Sequence, residues 1–138
     1  MWRVIFFIQN INCIMFQILI IVMTKKEFMK IWTTLPEDEE TKNYIPADTD
    51  NFVKISGYLF IVQKSGNVIM KKCGTSFFTV KEVLKAFRIW CQCMKIQYIR
   101  VEGYPNRYNC LYKMFPYLSI FKDKEVKTRN VFYIKLYD

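Results

Sequence analysis

The sequence contains no histidine. Histidine is the commonest general base in enzymes, so its absence excludes Ser–His and Cys–His nucleophile pairs from the chemistry of this chain. The five cysteines include no Cys-x-x-Cys pair and lack the spacing of a zinc site: Cys13, Cys73, Cys91, Cys93 and Cys110. Their odd number argues against a framework of disulfides, so the sequence favours a cytoplasmic location, where thiols stay reduced.

Small and turn-forming residues are also scarce, with four glycines, four prolines and only Ala47 and Ala86. Lysine outnumbers arginine, and Ile, Phe, Tyr and Asn are frequent, as AT-rich codons would supply. This composition indicates an AT-rich source, such as a phage or a low-GC bacterium. With 52% hydrophobic and 17% aromatic residues among 138, the chain is predicted to form one packed domain.

The net charge of +9 is unevenly distributed. Residues 23–51 carry four lysines and seven acids, whereas residues 81–138 carry twelve lysines and arginines and five acids. A basic second half could attract nucleic acid, a phosphorylated cofactor or an acidic host protein. The alternative is an ordinary solvated surface in a lysine-rich protein.

An apolar run occupies residues 4–23 and is about long enough to span a bilayer. Its four amides would be costly in lipid: Gln9, Asn10, Asn12 and Gln17. Three interpretations of the run remain open: a dispensable extension over residues 1–22, a membrane anchor, or a first strand. Thr24 and Glu27 have the spacing of a helix capping box, which favours the first interpretation and a single domain over residues 23–138.

The remaining pattern predicts a mixed α/β (α+β) fold in the order α-β-β-α-β-α-β-β, with helices on both faces of a central sheet. The predicted elements are a helix from 24 to 34, an exposed acidic loop, strand sequence over 52–62 with a possible break at Gly57, a turn at 64–67, a strand over 68–73, a helix over 79–94, a strand over 96–102, a helix over 106–115, a strand over 118–121, a charged connection over 122–130 and a strand over 131–137. The predicted core comprises Val83, Leu84, Phe87, Ile99, Val101, Leu111, Phe115, Phe132 and Ile134.

This order, together with the phrase Leu-Tyr-Lys-Met-Phe-Pro-Tyr at 111–117, resembles the second half of the GNAT superfamily of N-acetyltransferases. The family phrase is similar to Leu-Tyr-x-Lys-x-Gly-Phe, and Pro116 stands here where glycine is usual. The resemblance covers roughly residues 52–138. It implies acetyl-CoA as cofactor and an amine as acetyl acceptor.

The resemblance also implies the site residues. Tyr112 would protonate the departing CoA thiolate, and Asn106 is similar to an asparagine near the start of the same helix. The pyrophosphate loop would be the segment 71–76, with these residues: Lys71, Lys72, Gly74, Thr75 and Ser76. Glu102 is the acid best placed to act as general base, although it could instead pair with Arg100 or Arg107 at the surface.

Three functions are consistent with these observations. The first is a GNAT-like acetyltransferase, and the second is a GNAT-like fold of phage origin that binds a host protein without catalysis. The third is nucleic-acid binding through the basic half, where Tyr98, Tyr104, Tyr108 and Tyr112 could stack on bases. A membrane association is expected only if residues 4–23 form a true anchor.

Overall fold

The computed structural model describes residues 3–11, 14–38, 41–103, 119–126 and 129–138, and within these ranges the fold is α+β. The described residues form two helices and eight strands, in this order: β1 (Arg3–Ile11), β2 (Ile14–Met23), α1 (Lys25–Trp32), β3 (Asn51–Ile55), β4 (Tyr58–Val62), β5 (Val68–Lys72), α2 (Val80–Cys93), β6 (Tyr98–Gly103), β7 (Ser119–Val126) and β8 (Arg129–Lys135).

The strands form two sheets. The first has five antiparallel strands in the order β1-β2-β3-β4-β5, and the second has three in the order β6-β8-β7. The two sheets meet where Asn67, just before β5, forms a parallel bridge to Arg100 of β6. The sequence predicted a single central sheet, but β5 and β6 belong to different sheets, and among the described residues only this isolated parallel bridge pairs them.

The two helices cover opposite faces of the five-stranded sheet. Successive residues of a strand point to opposite sides, so neighbouring residues of β3 contact different helices. Val53 and Ile55 belong to the core beneath α2, whereas Phe52 stacks on Phe28 of α1 with ring centroids 4.3 Å apart. The α2 core also contains Ile99 and other residues of the second sheet. Helix α2 therefore joins both sheets through one continuous core.

Both helices begin with the predicted capping boxes. The backbone N–H of Glu27 donates to Thr24 Oγ1 over 3.2 Å, and the N–H of Thr24 donates to Glu27 Oε1 over 3.1 Å. Thr79 and Glu82 repeat the arrangement at the start of α2. Each box satisfies two backbone donors that a helix N-terminus would otherwise leave unpaired.

Strand β2 brings part of the N-terminal apolar run into the sheet, whereas the sequence favoured an extension outside the domain. Its residues 20–23 pair with β3, and Ile18 and Ile20 are fully buried beneath α2. Alternation points Leu19 to the other face, where it is 39% exposed. No helix in the described part of the chain has the length and apolar character needed to cross a membrane.

The C-terminal region corrects one prediction. The predicted charged connection over 122–130 is mostly strand, because β7 continues to Val126 and pairs with β8 from Arg129 onward. Alternating lysines and acids suit an edge strand, which is why their charge was mistaken for a loop. The predicted helix over 106–115 lies outside the described residues.

Most of the predicted core is confirmed. Five of its members are at most 5% exposed: Val83, Phe87, Ile99, Phe132 and Ile134. Leu84 and Val101 are only partly buried, packed against the edge of the same cluster. Leu111 and Phe115 lie outside the described residues.

The acidic loop after α1 is largely exposed, as its charge suggested, but it is attached to the sheet. The Lys71 ammonium on β5 forms an ion pair with Asp38 at 3.3 Å and donates to the carbonyl oxygen of Pro36 at 2.5 Å. Farther along, the Tyr44 hydroxyl donates to Asp50, which is nearly buried. These contacts fold the loop over the α1 face.

Candidate functional site

An open pocket of about 630 Å³ lies where β5 ends and α2 begins. It is lined by these residues: Tyr58, Lys72, Gly74, Thr75, Ser76, Phe78, Thr79 and Val80. Four of the six residues predicted to bind a cofactor are therefore brought together here. Tyr58 and Phe78 were not predicted, because Tyr58 comes from the neighbouring strand β4 and Phe78 follows the segment 71–76 that the resemblance implied.

The turn between β3 and β4 holds the loop that forms the pocket. The Gly57 carbonyl oxygen accepts from the N–H of Cys73 at 2.7 Å and from that of Gly74 at 3.3 Å. The two backbones are so close that a Cβ on Gly57 would lie 2.4 Å from the Gly74 carbonyl oxygen. Glycine is therefore required at position 57 by this contact.

Serine hydroxyls complete the attachment of the loop. Ser76 Oγ donates to the Phe78 carbonyl oxygen at 2.7 Å and accepts from the Phe78 N–H at 3.2 Å. The Ser56 hydroxyl lies 2.7 Å from Ser76 Oγ, and since Ser76 has already used its proton, Ser56 is the donor. Ser56 adopts a φ of 53° in the turn between β3 and β4. The loop is thus preorganised before any ligand arrives.

These contacts determine which donors remain for an anion. The Gly74 N–H and the Ser76 hydroxyl, both predicted phosphate donors, already have partners within the protein. In α2, the capping box uses the N–H groups of Thr79 and Glu82. The N–H groups of Val80 and Lys81 belong to the first helical turn, where no intrahelical acceptor exists. Together with the helix dipole, they favour an anion at this end of the pocket.

Only one of the two predicted lysines reaches the pocket. Lys71 pairs with Leu59 and Lys72 with Tyr58 in the β4–β5 ladder, so their side chains point to opposite faces. Lys72 is exposed and lines the pocket on the α2 face. Lys71 lies on the α1 face, 4.9 Å from the centre of the Trp32 ring and bound to Asp38. Both lysines lie in the predicted strand over 68–73, but the resemblance assigned the two of them alike to the pyrophosphate loop.

Replacing each lysine with alanine should separate these roles. Lys72→Ala should weaken the binding of a phosphate-bearing ligand and leave stability almost unchanged. Lys71→Ala should lower the free energy of unfolding by about 1–3 kcal/mol, because it removes hydrogen bonds of a charged, largely buried group. Urea unfolding of both variants, combined with calorimetric titration of acetyl-CoA, measures the two effects. Equal losses of affinity would contradict the assignment of the faces.

The pH dependence of the Lys71→Ala effect provides a further check. Burial works to raise the pKa of the Asp38 carboxyl, but hydrogen bonds with Thr41 and Lys71 and the charge of Lys71 outweigh it and hold the pKa below its usual value. A depressed carboxyl pKa stabilises the folded state above the unfolded pKa, and this contribution is lost as pH falls through the folded pKa. The stability difference between wild type and Lys71→Ala should therefore shrink below about pH 4.

The predicted catalytic residues lie apart from this pocket or outside the described ranges. Glu102 forms an ion pair with Arg100 at 2.6 Å, the surface pairing that the sequence left open as an alternative to general-base catalysis. Asn106 and Tyr112 lie outside the described residues. Burial raises the pKa of the Cys73 thiol and raises that of Cys91 to about 12, so neither thiol is an activated nucleophile at neutral pH.

Arg100 also links β6 to the residues just before β5. Its N–H donates to the Gly66 carbonyl oxygen at 2.9 Å, and its Nη1 donates to Asn67 Oδ1 at 3.0 Å. Gly66 has a φ of +91° in the tight turn before β5, a conformation that favours glycine. Within the described residues, no ladder joins β5 to β6 beyond this bridge. The two parallel strands are therefore fastened near one end only.

Comparison of the chain with protein-family models, with curated proteins and with solved structures finds no match in any of the three.

Proposed function

We propose that this chain is a GNAT-like domain that binds acetyl-CoA at the β5–α2 pocket and transfers the acetyl group to an amine. The observation that carries the proposal is the single fastening of β5 to β6 near Asn67 and Arg100. Past this bridge the ladder stops, and the pocket lies at the carboxyl end of β5 beside the N-terminus of α2. Ligands of open α/β sheets bind at such carboxyl ends.

The chemistry of the pocket supports a pyrophosphate. Lys72 supplies a positive charge, and the first turn of α2 supplies backbone donors and the positive end of the helix dipole. A pantetheine arm carries two amides, which suit the backbone N–H and C=O groups on the edge of β5 that faces β6. The arm would then extend from the pocket between the two strands.

Acetyl transfer requires an amine to attack the thioester carbonyl while the CoA thiolate leaves and takes up a proton. The resemblance assigns this proton to the phenol of Tyr112, whose ordinary pKa of about 10 exceeds that of a thiol. Glu102 is the predicted base. It would have to leave Arg100, or accept the amine's proton while still bound to it.

That ion pair favours a second candidate function, a GNAT-like fold that binds a host protein or nucleic acid without catalysis. Two of the predicted phosphate donors, the Gly74 N–H and the Ser76 hydroxyl, also have partners within the protein. A domain of this second kind would release no CoA thiol from acetyl-CoA, whichever amine is supplied. The two candidates therefore differ in a measurable property.

Gly74→Val tests the binding site without disturbing the fold. A Cβ at Gly74 would meet no atom within 4 Å, and its φ lies outside the left-handed region, so the unliganded variant should melt like the wild type. Its side chain would obstruct the pocket. Saturating acetyl-CoA should raise the melting temperature of the wild type, since ligand at a hundred times its Kd adds about 2.7 kcal/mol, and should raise that of the variant much less.

Tyr112→Phe separates binding from chemistry. It should retain the thermal shift with acetyl-CoA but lose the release of free CoA thiol when a panel of amines and lysine peptides is supplied. A wild type that shows neither a thermal shift nor calorimetric heat with acetyl-CoA would reject the acetyltransferase and leave the non-catalytic candidate. Binding without release of thiol from any acceptor would also favour a binding role.

A further inference from the structure

Phe77 lies in the pocket loop, directly between the pocket-lining residues Ser76 and Phe78, and its side chain is 94% exposed. No other large hydrophobic residue within 18–38, 41–102 and 131–138 is so exposed. Its neighbour Phe78, by contrast, packs against the α2 core. The loop therefore buries one phenylalanine and presents the next to solvent at the edge of the pocket.

Hydrogen bonds hold the backbone of the loop that presents Phe77 to solvent. The Ser76 hydroxyl bonds to both the N–H and the carbonyl oxygen of Phe78, so the backbone on either side of Phe77 is held. The Gly57 carbonyl oxygen holds the start of the loop. A backbone that is already held in place loses little conformational entropy when a ligand covers the side chain it presents. Exposed aromatic faces beside a basic, donor-rich site are suited to nucleotides, which combine anionic phosphates with a flat base.

We infer that Phe77 stacks on the adenine base of the nucleotide whose phosphates occupy the β5–α2 pocket, so that the site recognises the nucleotide half of CoA. This inference rests on the proposed function. The exposed Lys72 and the first turn of α2 hold the phosphates, and Phe77 holds the base beside them. Acyl donors that carry only a phosphopantetheine arm lack this base and bind more weakly.

The test compares CoA with 4′-phosphopantetheine, which lacks the adenine nucleotide. Calorimetric titration of wild type and Phe77→Ala with both ligands gives four affinities. Because base–aromatic stacking contributes substantially to nucleotide binding, Phe77→Ala should lose about tenfold in affinity for CoA and almost nothing for 4′-phosphopantetheine. Phe77→Trp should restore the affinity, and CoA should quench its additional fluorescence.

The matched control is Ile45→Ala, which removes another apolar side chain that is 83% exposed but does not line the pocket. It should leave both affinities unchanged. If wild type binds CoA and Phe77→Ala binds it equally well, the stacking role is overturned while the proposed cofactor stands. An equal loss for both ligands would also overturn it, since it would indicate a displaced loop. If wild type binds neither ligand, the proposed function fails, and the stacking role with it.

Discussion

A chain that begins at Met23 should lose its cooperative unfolding transition. Removing residues 1–22 deletes β1 and almost all of β2, and β3 would lose its hydrogen-bonded neighbour on one side. Ile18 and Ile20 would leave a large gap in the core beneath α2. Deletion of a single buried Ile side chain costs about 2–5 kcal/mol, and the total stability of a domain this size is only about 5–15 kcal/mol. Circular dichroism during urea unfolding measures the loss.

Adjacent point variants separate loss of packing from loss of the strand. Ile20→Ala should reduce the free energy of unfolding by about 2–5 kcal/mol, whereas Leu19→Ala, on the more exposed face, should cost much less. A shortened chain that unfolds cooperatively with wild-type stability would show that the domain does begin at Met23. The limits of the domain stay a prediction that this experiment tests.

Gly57→Ala should damage both stability and ligand binding. Its Cβ would lie 2.4 Å from the Gly74 carbonyl oxygen and 2.9 Å from the carbonyl carbons of Gly74 and Thr75. These are backbone atoms, so the clash is relieved only by moving the turn away from the loop. Overpacking of this kind typically costs about 1–3 kcal/mol. The shift would also weaken the bonds from Cys73 and Gly74 to the Gly57 carbonyl, so acetyl-CoA should no longer raise the melting temperature.

Gly74→Ala is the matched control, because its Cβ would meet no neighbour. It should unfold at the wild-type urea concentration or slightly above it, since alanine restricts the unfolded chain more than glycine does. Wild-type unfolding and ligand response in Gly57→Ala would contradict the close approach of the two backbones. Equal damage in both variants would show that the loop tolerates no side chain at either glycine.

Much of the fold was available from the sequence, because local interactions specify it. The capping boxes at Thr24 and Thr79 require only residues three apart, and the structure contains both. The apolar face of α2 follows from helical periodicity, and Val83 and Phe87 are buried as predicted. The break at Gly57 and the turn at residues 64–67 were also visible as local signals.

Tertiary structure decided the rest, because contacts between distant segments leave no local pattern. The apolar run 4–23 left an extension, an anchor and a strand open as interpretations, and only pairing with β3 selects the strand. Alternation along the predicted strand 68–73 places Lys71 and Lys72 on opposite faces, but only the packing of the two helices decides which lysine reaches the pocket. The approach of Gly57 to Gly74 joins positions 17 residues apart, and it is this contact that shapes the candidate site.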